Sequence, residues 1–212
     1  MAEVLSSKVV ENMKNKIIVF GATGFIGQHL IRIAANDIIS PVARLKKRIP
    51  ADHNDRNWLV ADLLNLYSIE QILRPGDTVI NLAYSGSSSL EDNIKMIENL
   101  VHACRQAKVS RLVHCSTALV VGKNPSSIVS HDTNCLPVTT YEKTKYQMES
   151  LLLDAINDDF NIYIIRPTLV VGPSGQNLKK MLRKIKSGNS VVNYIRSSVL
   201  GNSKLNIVAV KD

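Results

Sequence analysis

Apolar residues in this chain gather in short unbroken runs, and the longer stretches between those runs carry apolar positions at helical spacing. Lys16-Ile17-Ile18-Val19-Phe20, Thr78-Val79-Ile80-Asn81-Leu82-Ala83, Arg111-Leu112-Val113-His114-Cys115-Ser116 and Ile162-Tyr163-Ile164-Ile165-Arg166 read as strands buried on both faces. Weaker runs over 40–44 and 58–61 predict two more strands. A helix is expected over 25–35, with Ile26, Leu30, Ile33 and Ala34 on its inner face. Ser68 is expected to cap a short helix over 69–73, and Pro75-Gly76-Asp77 to turn the chain. Helical spacing recurs over 90–107, at Ile94, Ile97, Val101 and Cys104, and a further helix is expected over 142–155. Strands alternating with helices predict an α/β protein with a doubly wound parallel sheet.

Beyond Pro167 the texture changes to a loop at Pro173-Ser174-Gly175, a basic amphipathic helix over 177–186 and a strand over 205–210. The expected division is 1–172 for the main domain and 173–212 for the start of a partial C-terminal substrate lobe. Residues 1–15 read as a polar arm. The abrupt stop after a strand reads as a truncated chain, a natural C-terminal strand being the alternative.

With 45% hydrophobic and 21% charged residues, the 212-residue chain has the balance of a soluble globular protein. No run approaches the roughly 18 apolar residues of a membrane helix, so no membrane partner is expected. The N-terminus lacks a basic start followed by an apolar core, and three cysteines without framework spacing fit a reduced, cytoplasmic setting. His102 with Cys104 and His114 with Cys115 point apart, so no metal site is expected. The net charge of +8 raises the question of nucleic acid. It is concentrated around Arg44–Arg48 and 179–186, however, and three Phe and one Trp offer little base stacking, so no nucleic-acid partner is expected.

The first run leads directly into Gly21-Ala22-Thr23-Gly24-Phe25-Ile26-Gly27, and a helix follows. A strand, a glycine-rich turn and a helix N-terminus together form a diphosphate cradle, so the prediction is a Rossmann-type domain that binds a nicotinamide dinucleotide. The spacing differs by one residue from the commonest dinucleotide pattern. A cofactor without a 2′-phosphate usually meets an acid near the end of the second strand. Here Arg44 stands there instead, with Lys46 and Lys47 behind it, which favours NADP over NAD. A solvated basic loop is the alternative. Asp62 is placed to meet an adenine amino group, or else to cap the turn before Leu63.

Tyr141 and Lys145, four residues apart, share a helix face. A phenol with an unperturbed pKa near 10 needs about 4 kcal/mol of help to act as a base at neutral pH, and a nearby ammonium supplies such help. Ser116-Thr117 to Gly122 and Arg166-Pro167 to Gly172-Pro173 follow the fifth and sixth strands, where an open α/β sheet places its ligand crevice.

These ordered motifs, with Asn81-Leu82-Ala83 and Asn93, resemble the extended short-chain dehydrogenase/reductases, in particular the NAD(P)-dependent epimerase/dehydratase family. The resemblance covers about 16–173 and reaches the last strand. It implies Tyr141 as general acid/base, Lys145 holding the nicotinamide ribose and lowering the Tyr141 pKa, and Thr117 bonding the substrate oxygen, with Ser116 as substitute. Asn93 is implied to order the site through water, a polar surface residue being the alternative. The expected cofactor contacts are Gly21, Thr23, Gly24, Phe25, Ile26, Gly27, Arg44, Asp62, Leu63, Leu82, Ala83, Lys145 and Pro167. The sequence departs from the family in lacking the second-strand acid, in Tyr84 after Leu82-Ala83 where many members have histidine and two alanines, in the short Ser87-Ser88-Ser89 loop, and in His131-Asp132 ahead of the active-site helix.

The implied function is hydride transfer at a substrate hydroxyl or carbonyl carbon, on a nucleotide sugar, by an epimerase or dehydratase. The alternatives are an NADPH-dependent reductase of a small carbonyl compound and a non-catalytic dinucleotide-binding module. A homodimer through the helices over 90–107 and 142–155 is implied by resemblance.

Overall fold

The computed structural model describes residues 15–34, 38–51, 56–125, 128–156, 160–175, 183, 187 and 206–211. The chain divides into two units, Met1–Arg166 and Pro167–Asp212, which puts the boundary ahead of the expected position after Gly172.

In the first unit, β1 (Ile17–Phe20), β2 (Ile39–Ala43), β3 (Leu59–Val60), β4 (Thr78–Asn81), β5 (Arg111–Cys115) and β6 (Asn161–Ile165) form one sheet in the order β3-β2-β1-β4-β5-β6. Every pairing is parallel. The helices are α1 (Phe25–Ile33), α2 (Leu66–Glu70), α3 (Leu90–Gln106) and α4 (Thr140–Asp154). Alternate residues of β1 feed two cores, as continuous apolar strands require. Ile18 and Phe20 join Val79, Leu112 and side chains of α2, α3 and α4, while Val19 packs with Ile31 and Ile39. The strand order reverses between β1 and β4, where their carboxyl ends open a crevice.

Two helix expectations are corrected. Gly27 and Ile31, four residues apart, are the buried residues of α1, whereas Ile33 is 73% exposed at its last position. Asn65, not Ser68, caps α2, accepting the Ser68 N–H at 3.3 Å. The Ser68 hydroxyl instead donates to the Asn65 carbonyl at 2.8 Å and accepts the Asp62 N–H at 3.0 Å.

In the second unit, β7 (Leu169–Val171), which the sequence pattern did not mark, pairs in parallel with β8 (Ile207–Ala209). Of the basic helix expected over 177–186 only residue 183 is described, and of the polar arm expected over 1–15 only residue 15.

Candidate active site

The turn after β1 is shaped by contacts that exclude side chains. Gly21 has φ +77°, and a Cβ there would come within 2.7 Å of the Ala83 nitrogen and the Leu82 carbonyl carbon. Gly27 brings α1 against the turn, since a Cβ would lie 2.4 Å from the Gly21 oxygen. At the N-terminus of α1, Gly24 supplies no side-chain cap and the first turn holds no acid. In contrast, Ser89 caps α3 ahead of Glu91 and Asp92, and Thr139 caps α4 ahead of Glu142. The helix dipole of α1 is thus left to an anion from outside the chain, which fits a diphosphate.

A cleft of about 250 Å³ opens there. Its walls include the expected residues Gly21, Thr23, Gly24, Arg44, Asp62, Leu63, Leu82 and Ala83. They also include Arg48, Tyr84, Ser85 and Met96, which the sequence did not single out as contacts. Phe25, Ile26, Gly27 and Lys145 are not on these walls: Phe25 stacks edge-on against His29, with ring centroids 5.1 Å apart, and Gly27 is buried. Pro167 begins the second unit.

Asp62 binds the chain through both oxygens, accepting the Leu64 N–H at 3.1 Å and Arg44 Nε at 2.8 Å. The turn-capping alternative therefore describes its observed contacts, with a half-exposed ion pair added to it. Such a pair holds Arg44 at the cleft for little energy.

On the other side of the crevice, α4 presents Tyr141 and Lys145 near the ends of β4 and β5. The Lys145 ammonium donates to the Cys115 carbonyl at 2.8 Å, and Lys145 is 3% exposed. Burial holds its pKa down at about 8, against the opposing pull of Cys115 and Glu149. The Thr117 hydroxyl hydrogen-bonds Tyr141 and so favours its phenolate, but burial outweighs this and holds the phenol above its ordinary value. The expected lowering of the Tyr141 pKa is thus corrected: burial raises it. Tyr84 lies between the two: its ring meets Tyr141 at 87° with centroids 5.0 Å apart, and Lys145 Nζ stands 5.1 Å from its centroid.

Asn93 is 1% exposed, which removes its reading as a surface residue. Its Oδ1 accepts the Ser85 N–H at 3.1 Å, and its Nδ2 donates to the carbonyls of Ser85 at 3.0 Å and Ser89 at 2.9 Å. It pins the loop that carries Tyr84. Ser116 is buried beside Thr117 but makes no contact with Tyr141 among the described bonds. His114 packs against Asn81 at 3.1 Å, and burial pushes its pKa down to about 3, so it stays neutral. Below the pair, Arg166 grips the fully buried Glu149 with bonds of 2.7–3.1 Å. Tyr84 and Glu149 had no local signal, because each meets its partners across elements far apart in the chain.

Among the described residues, no helix is long and apolar enough to cross a membrane, and no group of three or more His, Cys, Asp and Glu is arranged to hold a metal. Over 209 residues the chain is 26% identical to N-acetyl-alpha-D-glucosaminyl-diphospho-ditrans,octacis-undecaprenol 4-epimerase of Escherichia coli O157:H7, covering 90% of this chain and 61% of the relative. It is 24% identical to the human decarboxylating sterol-4-alpha-carboxylate 3-dehydrogenase, covering 93% of this chain and 54% of that one. The chain therefore spans less than two thirds of these relatives' length. A dTDP-glucose 4,6-dehydratase of Streptomyces venezuelae, solved with NAD bound, superposes with a TM-score of 0.70 at 19% identity, over 93% of this chain and 69% of that one. Residues 17–212 match the NAD dependent epimerase/dehydratase family, and the chain belongs to it.

Proposed function

We propose that this chain carries the dinucleotide site and the proton-transfer site of an NAD(P)-dependent epimerase or dehydratase that acts at a hydroxyl-bearing carbon of a nucleotide sugar. The observation behind this reading is the Thr117–Tyr141 bond together with Tyr84, which touches both Tyr141 and Lys145 and lines a glycine-rich cleft at the sheet's reversal point. The two names above that carry a nucleotide or diphospho sugar support the substrate class.

The backbone of Gly21, Thr23 and Gly24 and the α1 N-terminus would hold the diphosphate, and Lys145 would hold the nicotinamide ribose. The chemistry such a cofactor would supply is acceptance and return of hydride. Arg44 and Arg48, both on the cleft wall, suit a 2′-phosphate, so NADP is the preferred form. Thr117 bonds the substrate oxygen. Tyr141 rests as the neutral phenol, the form that gives a proton to a carbonyl oxygen. The reverse step needs phenolate, which the Thr117 bond favours. Asn93 positions the Tyr84 loop. The three cysteines, none in a disulfide, suit a reducing cytoplasm, and α3 packed on α4 offers the surface for a homodimer.

Replacing Tyr141 by Phe tests the reading in a hexose-epimerisation assay with UDP-sugars and NADP. Turnover is expected to fall by about 10²–10⁴-fold, with dinucleotide affinity little changed. Unaltered turnover removes Tyr141 from the mechanism. A second reading, net reduction of an apolar ketone, draws on the exposed Leu119, Leu136 and Val138 flanking Thr117 and Tyr141 in the sequence. Stoichiometric NADPH consumption separates the two.

A further inference from the structure

One aromatic ring touches both members of the proposed proton-transfer pair and also lines the dinucleotide cleft. Tyr84 presents its face to the Lys145 ammonium at 5.1 Å and packs edge-on with Tyr141 at 5.0 Å. The chain next to it is fixed, because Asn93 bonds both the N–H and the carbonyl of Ser85.

Lys145 lacks a full counter-charge of its own. Among the described residues, the titratable groups recorded around its amine are Cys115 and His114 from β5, Glu149 from α4, and Tyr84. Burial pushes the Cys115 thiol up and His114 down, so both are neutral near pH 7. Arg166 already holds Glu149 through both carboxylate oxygens. Beyond that shared carboxylate, the Cys115 carbonyl at 2.8 Å and the negative face of the Tyr84 ring support the ammonium.

We propose that Tyr84 is a positioning residue of this site, its ring face keeping the buried Lys145 ammonium charged while its edge contact orients the Tyr141 phenol. The inference rests on the roles given above to Tyr141 and Lys145, and it adds a side chain that couples the cleft wall to proton transfer. The hydroxyl of Tyr84 is not needed for this; the ring is.

The test compares Tyr84→Phe, which keeps the ring, with Tyr84→Leu and Tyr84→Met, which keep apolar bulk without a π face. Trace acetylation with acetic anhydride, read peptide by peptide by mass spectrometry across pH, gives the Lys145 midpoint without any dinucleotide. The midpoint is expected near 8 in the unsubstituted protein and in Tyr84→Phe. In the two aliphatic variants it falls by about half a pH unit or more, as loss of a cation–π contact implies. An unchanged or higher midpoint in Tyr84→Leu and Tyr84→Met overturns the proposal, as does a fall in Tyr84→Phe as large as theirs. NADPH fluorescence titrations on the same proteins separate this from the functional reading. Affinity should weaken through the amine midpoint, and at lower pH in the aliphatic variants. A protein that binds no dinucleotide at any pH overturns the functional reading, and the labelling result still decides the role of Tyr84.

Discussion

Lys145 is costly to fold. Burial disfavours the charge and holds its amine down at about 8 in the native protein, against the 10.5 of an ordinary lysine. Between those values the unfolded chain binds more protons, so the linked stability rises with pH across that window. Below about pH 8 the whole penalty is present, on the order of 3 kcal/mol. Lys145→Met, of similar length and uncharged, removes that penalty and also the bond to Cys115, which offsets about 1 kcal/mol. The variant is therefore expected to be more stable at pH 7 by about 2 kcal/mol and to have lost that advantage by pH 10.5. Urea unfolding at both pH values measures this. A variant less stable than the parent at pH 7 would mean that the ammonium's contacts outweigh its desolvation. Arg166→Ala has the opposite sign: it strands the fully buried Glu149 carboxylate and should cost about 3–5 kcal/mol in the same measurement.

At the scale of elements, α4 carries the proposed acid/base pair on a first turn that is anchored. Thr139 accepts the Glu142 N–H at 3.3 Å, and Glu142 returns bonds to the N–H groups of Val138 and Thr139 at 2.7 and 3.1 Å. Thr139→Ala is expected to cost about 1 kcal/mol. Because Tyr141 lies in that turn, turnover should fall by more than the loss of folded protein explains, a split visible when activity is compared with circular dichroism. A helix was expected from 142, but its start at Thr140 was not, although Thr139-x-x-Glu142 is a capping-box pattern. The glycine turn and Tyr141-x-x-x-Lys145 were legible because a backbone turn and one helix face write their requirements into adjacent positions. The packing phase of α1 was misread at Ile33, since several apolar residues allow more than one inner face. The contacts of Tyr84, the burial of Asn93 and the Glu149–Arg166 pair depend on tertiary packing, which no local spacing records.

Over the first unit, the crevice lies where β1 and β4 neighbour each other and the strand order reverses. The cleft brings the ends of β1, β2, β3 and β4 together, since Phe20, Val42, Ala61 and Leu82 all line it, so a dinucleotide bound there would draw on all four. Binding to the native state alone stabilises by about 2.7 kcal/mol at a ligand concentration 100-fold above Kd. For a protein of this size that corresponds to a rise of about 5–10 °C in Tm. On the proposed reading, the choice between the two cofactors falls on Arg44. Its exchange with Asp62 is half-exposed, with side-chain exposures of 56% and 31%, so a 2′-phosphate can replace the carboxylate as partner at small cost. NADP is therefore expected to raise Tm more than NAD at equal concentration. Arg44→Ser should lose about tenfold in NADP affinity or more while leaving NAD nearly unchanged, since a charged hydrogen bond is worth about 1.5–3 kcal/mol. Thermal melts of both proteins with both dinucleotides decide it. A larger shift with NAD in the parent protein, or an equal loss of both cofactors in Arg44→Ser, would reduce Arg44 to the partner that holds Asp62 in its turn.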